Sequence, residues 1–197
     1  QIMIQQPFVS IIIPVLNAQA YIGICLEALL ILDYPKDKFE IIVIDNGSSD
    51  ETLSIVQKYP VKFLLKTNCN ISALRNWGTQ QARGNIFAFI DADCVAPKNW
   101  LNEAVNILNS NTDNAAVGCW YALPKSTTKV ERVWDIVTSA RRDKTGPIDW
   151  VPSGDLIVKK EIYERIQGFD EYLITSEDVD ICQRITQVGG IVYSSSK

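Results

Sequence analysis

The chain has 197 residues, 47% hydrophobic and 21% charged, with a formal net charge of −4. That is the balance of a globular domain large enough to bury a sizeable core, not of a disordered chain. The acidic balance argues against general nucleic-acid binding, which needs a basic surface, and leaves room for one phosphate held locally by a metal or a helix N-terminus.

The run "FVSIIIPV" is continuously apolar, ends at Pro14, and predicts a strand buried on both faces. Residues 21–32 carry Ile22, Leu26, Leu29 and Leu30 at helical spacing, and Pro35 follows. "FEIIVIDNGSSDET" predicts a second buried strand that breaks at Asp45 into a turn. Ser48 and Glu51 stand at capping-box spacing, so a helix is expected from there to about Tyr59. "VKFLLKT" reads as a third strand, residues 72–81 as a third helix, and "NIFAFI" as a fourth strand. Short connections between alternating strands and helices imply right-handed crossovers and a mainly parallel sheet with helices on both faces. Ligands of such sheets bind beyond the carboxyl ends of the strands, where Asn17, Asp45, Asp91 and Asp93 all fall. The second half is less regular. Helices are expected at 100–109, 128–142, 161–166 and 177–187, and strands at "AAVGCWYAL", "DLIVKK" and, less clearly delimited, "GGIVYSSSK".

Histidine is absent. That removes Ser-His-Asp and Cys-His catalysis and histidine-rich metal sites, and makes a carboxylate the expected base near neutral pH. The five cysteines, Cys25, Cys69, Cys94, Cys119 and Cys182, are scattered and never form C-x-x-C. This argues against a zinc site or disulfide framework and for a reducing, cytoplasmic compartment. The longest apolar candidate, "YIGICLEALLIL", is too short to span a bilayer and is interrupted by Glu27. No membrane span or signal peptide is expected in this chain, and peripheral association with a cytoplasmic membrane face stays open.

Asp91 and Asp93 follow the fourth strand two residues apart. In an extended segment they would face one side, and a hard divalent cation shared with phosphate oxygens would relieve their repulsion. The alternative is that Asp91 closes a turn and Asp93 caps the next helix. Asp45 can accept hydrogen bonds from a base or ribose, or simply begin a good turn. Arg75 can stack on a base, pair with phosphate, or be a solvated helix charge. Glu177, Asp178 and Asp180 crowd one helix start, more acid than capping requires, and mutual repulsion would raise one pKa. This is the best candidate for the base. The first strand ends "PVLNA" without G-x-G-x-x-G, which demotes a dinucleotide dehydrogenase.

Taken in order, "VSIIIPVLNA", "IIVIDNGSSDET", "ISALRNWGTQQARGNIFAFIDADC", "PKNWL", "GFDE" and "EDVDICQRITQVGG" resemble the family 2 glycosyltransferases, inverting enzymes of the GT-A fold. The resemblance covers nearly the whole chain. It implies one GT-A domain over 1–197, with a nucleotide-binding half at about 1–95, an acceptor and catalytic half at about 96–197, and a C-terminal part missing. It implies a nucleotide-sugar donor, usually with UDP, a divalent cofactor (Mn2+ or Mg2+), and a carbohydrate, lipid-linked or protein acceptor. By position, Pro14 and Asn17 fall in the first nucleotide-binding loop, and Asp45 is the base-binding acid. Arg75 lies near base and phosphates. Asp91, Ala92 and Asp93 form the D-x-D motif, with Asp91 on the ribose side and Asp93 on the metal. Gly154 and Asp155 of "SGD" flank the transferred sugar and acceptor, and Asp178, beside Glu177, is the catalytic base.

Three features depart from the family pattern. Cys94 follows the D-x-D, the frequent downstream histidine ligand does not exist, and Q-x-x-R-W is absent, which favours single-sugar transfer. Competing readings are a nucleotidyltransferase, for which "PVLNA" lacks a Gly-rich basic loop, and a non-catalytic binding module or inactive fragment. Trp100, Trp120, Trp134 and Trp150 suit either sugar stacking or a hydrophobic seam.

Overall fold

The computed structural model describes residues 6–119 and 144–195. The expected helix at 128–142, Trp120, Trp134 and the end of "AAVGCWYAL" lie outside the described residues.

The first half alternates as the sequence predicts: β1 (Val9–Val15), α1 (Ile22–Leu30), β2 (Phe39–Asp45), α2 (Thr52–Val56), β3 (Lys62–Leu65), α3 (Ile71–Gln80) and β4 (Ile86–Ile90). The second half supplies α4 (Trp100–Ser110), β5 (Asn114–Gly118), β6 (Gly146–Pro147), β7 (Asp155–Lys159), α5 (Lys160–Arg165), α6 (Glu177–Gln187) and β8 (Ile191–Ser194). One eight-stranded sheet in the order β3-β2-β1-β4-β7-β5-β8-β6 runs through both halves. β1 to β4 are parallel, and β5 and β8 share their direction; β7 and β6 run against it.

Alternate residues of each strand feed opposite cores, as the pleat requires. Ile11, Ile13, Val43 and Ala88 pack with α1 and α4 on one face. Ile12, Ile42, Phe87 and Phe89 pack with α3, α5 and α6 on the other. α2 lies with α1, and α3 crosses to the opposite face where the winding turns back past β1 to β4. Crossovers of one hand require that change of face. The topological switch therefore falls between β1 and β4, whose carboxyl ends lead to Asn17 and Asp91.

Two local expectations are corrected. Pro14 does not end β1, which continues to Val15. Pairing with β4 stops at Ile12, so the proline sits where the ladder on that side has ended. The Ser48–Glu51 capping box does not form either. α2 begins at Thr52 without a side-chain cap, and Ser48 turns back to Asp45.

Candidate active site

β4 delivers the chain into a turn. The Cys94 N–H donates to the Asp91 carbonyl at 3.0 Å, and the Asp91 N–H donates to the Gly154 carbonyl at 3.2 Å. The two aspartates therefore do not share one side of an extended segment. Asp91 is half-buried, the intervening Ala92 is buried, and Asp93 is exposed. Asp93 does not cap α4, whose N-cap residue is Asn99.

Arg75 explains why Asp91 turns inward. Its Nη2 donates to Asp91 Oδ1 at 2.9 Å and its Nη1 to Glu177 Oε1 at 3.1 Å. It is 1% exposed, with its guanidinium carbon 5.2 Å from the centre of the Phe169 ring. Its Nε has no hydrogen-bond partner among the described residues. The reading as a solvated helix charge is thus overturned. α3 can bring Arg75 this deep because Gly78, one turn on, presses against the sheet. A Cβ there would stand 2.6 Å from Ile12 and 2.8 Å from Ile44.

The three acids of α6 take three different environments. Burial pushes the Glu177 carboxyl up, but its helix-start amide, Arg75 and Ser153 together hold it below the usual range. The Ser153 hydroxyl donates to it at 3.0 Å. Asp178 is raised, chiefly by burial and further by the Glu177 charge, with the Val179 N–H opposing at 2.8 Å. Repulsion, the cause expected from the sequence, is the smaller part. Asp180 pairs with Arg184, which also donates to the carbonyls of Ile166 and Gly168. Arg184, held by Asp180, thereby fastens α6 to the end of α5.

On the other side of the switch, Asp45 is buried and accepts from the Ser48 N–H at 3.0 Å and hydroxyl at 2.6 Å. Gly47, at φ 89, lets the turn close. Asn17, at φ 50, accepts from the Ser49 N–H at 2.8 Å, while its own N–H donates to Ser48 at 2.8 Å. Ser48 thus ties the loop after β1 to the loop after β2. The sequence marks Ser48 only as a capping-box residue and does not single out Ser153 beside Gly154 and Asp155 of "SGD".

Asp155 opens β7 and is buried, with Gly154 buried beside it. Trp100 Nε1 donates to one of its oxygens at 2.8 Å and the Cys119 thiol donates to the other. Burial raises its pKa to about 6 against those bonds. Trp100 is accordingly a seam residue, not a sugar platform. Burial first raises the thiols of Cys94 and Cys119, Cys94 being pushed further by Asp93, Asp91 and Asp155 and Cys119 by Asp155. Both are neutral thiols near neutral pH, which argues against a thiolate ligand.

No three of Cys, Asp and Glu converge as a metal cage among the described residues. The donor set suits a hard cation that draws most ligands from a diphosphate and water and takes one carboxylate from the protein. Asp93 is exposed and without an ion pair among the described residues, so its carboxylate is open to such a cation.

The sequence profile of Glycosyl transferase family 2 matches residues 10–169, which include all of β1 but Val9, the D-x-D turn and β7. The chain belongs to this family. Among its curated relatives is glycosyltransferase AglE of Haloferax volcanii, 31% identical over 190 residues, covering 93% of this chain and 62% of that protein. Probable glycosyltransferase YdaM of Bacillus subtilis is 28% identical over 204 residues, covering 95% of this chain and 48% of that protein. The chain therefore spans about half to three fifths of these relatives. The mannosyltransferase PcManGT of Pyrobaculum calidifontis, solved with GDP-Man and Mn2+, superposes with a TM-score of 0.76 at 22% identity. It covers 98% of this chain and 58% of that one. Residues 1–349 of S. aureus TarS, solved with UDP-GlcNAc, superpose at 0.73 and 23% identity, covering 96% and 56%. The fold is that of the GT-A glycosyltransferases.

Proposed function

We propose that this chain transfers a sugar from a nucleoside-diphosphate donor to an acceptor hydroxyl with inversion. The observation that carries the reading is the convergence on Arg75 of the D-x-D turn and the acidic start of α6. It leaves Asp93 exposed and Asp178 without an ion-pair partner among the described residues. One carboxylate is then available to a cation and one to a proton.

Asp45 and the loops joined by Ser48, with Pro14 and Asn17, hold the base of the donor. Asp91, braced by Arg75 and the Gly154 carbonyl, takes the ribose side. Asp178 accepts the proton of the acceptor hydroxyl. That oxygen attacks the anomeric carbon from the face opposite the diphosphate, the bond to the leaving oxygen breaks, and its electrons leave with the nucleotide. Mn2+ or Mg2+ on Asp93 supplies charge neutralisation at the diphosphate when bound. Glu177, neutralised by Arg75, orients the start of α6. Asp155 supports this region from below through Trp100 and Cys119, because its carboxylate is enclosed. UDP is the expected nucleotide, and the GDP-Man in PcManGT makes guanine the second base to test. No described helix is long and apolar enough to cross a membrane; placement in the cytoplasm or at its membrane face belongs to this proposal.

The test is thermal stabilisation by UDP, GDP, UDP-GlcNAc and GDP-Man, with and without Mn2+. A ligand at one hundred times its Kd stabilises by about 2.7 kcal/mol. A manganese-dependent shift with one nucleotide is expected. No shift with any of the four would sink the reading.

A further inference from the structure

The segment between Phe169 and α6 combines a fastened backbone with two fully presented apolar side chains. Asn70, the N-cap of α3, donates to the carbonyls of Glu171 at 2.7 Å and Leu173 at 3.4 Å. Asn76 donates to the Phe169 carbonyl at 2.9 Å and the Glu171 carboxylate at 2.8 Å, and accepts from the Phe169 N–H at 2.9 Å. The Tyr172 N–H is held by Asp170 at 2.8 Å. The segment is thereby laid over the start of α3, at the carboxyl edge of the sheet. Glu171 and Leu173 give their carbonyls to Asn70, whereas Tyr172 and Ile174 are 96% and 98% exposed. Single apolar residues on a surface are ordinary. Here two of them, nearly bare, stand on a fastened loop six and four residues before Asp178.

The charge around them selects the kind of guest. Residues 166–183 hold Asp170, Glu171, Glu177, Asp178 and Asp180 and no lysine or arginine. Among the described residues, Arg75 and Arg184, which touch the ends of this segment, are already paired with acids. A phosphate or an anionic lipid headgroup would meet the acids of this segment. An uncharged sugar ring brings no charge to them. Its C–H face matches the negative face of an aromatic ring, and the Tyr hydroxyl can reach a ring hydroxyl at the edge.

We propose that Tyr172 and Ile174 form the acceptor platform, on which an uncharged pyranose ring stacks with its hydroxyl directed to Asp178. The proposal rests on the glycosyltransferase reading and names the acceptor class for it. The probes are cellobiose, maltose and N,N′-diacetylchitobiose at millimolar concentration, followed by saturation-transfer NMR on the full chain. Wild type is expected to bind at least one, Tyr172→Phe to bind within about threefold of it, and Tyr172→Ala and Ile174→Ser at least tenfold more weakly. Nucleotide-induced thermal shifts should be the same in all four proteins, which shows that the variants fold and keep the donor site. A wild type that responds to nucleotide but to none of the disaccharides overturns the platform and leaves the donor reading intact. So does a Tyr172→Ala variant that binds as wild type does. A wild type that binds disaccharide through Tyr172 but no nucleotide keeps the platform and sinks the donor reading. Two further results overturn the platform: binding to phosphatidylcholine–phosphatidylglycerol vesicles that Tyr172→Ala abolishes, and wild-type dimers in sedimentation equilibrium that the same variant dissociates.

Discussion

Arg75 Nη1 stands 3.1 Å from Glu177 Oε1, 102 residues away along the chain. The same guanidinium holds Asp91 at 2.9 Å. One buried cation therefore joins the turn proposed to face the donor to the helix proposed to face the acceptor. Such a bridge is costly to break, because removing one partner leaves charges in a poorly hydrated place.

Replacing Arg75 by Gln should destabilise the chain by about 3 kcal/mol, at the low end of the range for breaking a buried pair. The discount reflects the Asp91 side chain, 34% exposed and able to rehydrate. Arg75→Lys keeps the charge but lacks the fork that reaches both acids, and should fall between wild type and Gln. Urea denaturation midpoints at constant slope check both. Equal stability of Arg75→Gln and wild type would contradict the bridge.

Asp178 and Glu177 differ in the direction of their pKa shifts, and that difference predicts a pH profile. A base acts when ionised, so kcat/KM should rise with pH through a value above the ordinary aspartate range. The Glu177 charge contributes to that rise. Glu177→Gln should therefore move the acidic limb to lower pH, while Asp178→Asn should abolish transfer at every pH and leave nucleotide affinity within about threefold. An acidic limb that stays in place in Glu177→Gln removes Glu177 as the cause.

Much of this arrangement is legible in the sequence. Uninterrupted apolar runs announced β1, β2 and β4, and their alternation with helical spacings fixed the sheet edge on which Asp45 and Asp91 lie. Side-chain direction was not legible. Whether Asp91 and Asp93 share a face depends on the turn closed by Cys94, and the partners of Arg75 come from residues 16 and 102 positions away. The capping-box spacing of Ser48 and Glu51 failed because Asp45 was a nearer acceptor for Ser48. β7 enters between β4 and β5 against their direction, a placement that no periodicity encodes.

Asp93 is exposed, and apart from the Cys94 thiol at 3.7 Å no hydrogen-bond partner contacts its side chain among the described residues. Asp93→Ala should change stability by no more than about 0.5 kcal/mol, as surface substitutions usually do. The same variant should lose the manganese-dependent part of nucleotide binding in calorimetry. Unchanged manganese dependence would move the cation to another residue.

Asp155 is the buried acid whose effect on stability has the opposite sign to that of an ion-paired carboxylate. Its pKa is raised from 3.8 to about 6 by burial, with Trp100 and Cys119 only partly offsetting the cost of ionisation. The folded chain therefore holds a proton that the unfolded chain releases across that window. The contribution of this group to stability falls as pH rises from about 4 to 6 and stays low above it, by about 3 kcal/mol in total. Asp155→Asn cannot ionise. It should flatten this part of the stability-versus-pH curve, while giving up one acceptor for either Trp100 or Cys119. Guanidinium midpoints of wild type and Asp155→Asn at pH 5 and pH 7 check the sign. If the gap between the two proteins does not shift toward Asn at the higher pH, Asp155 is not the titrating group.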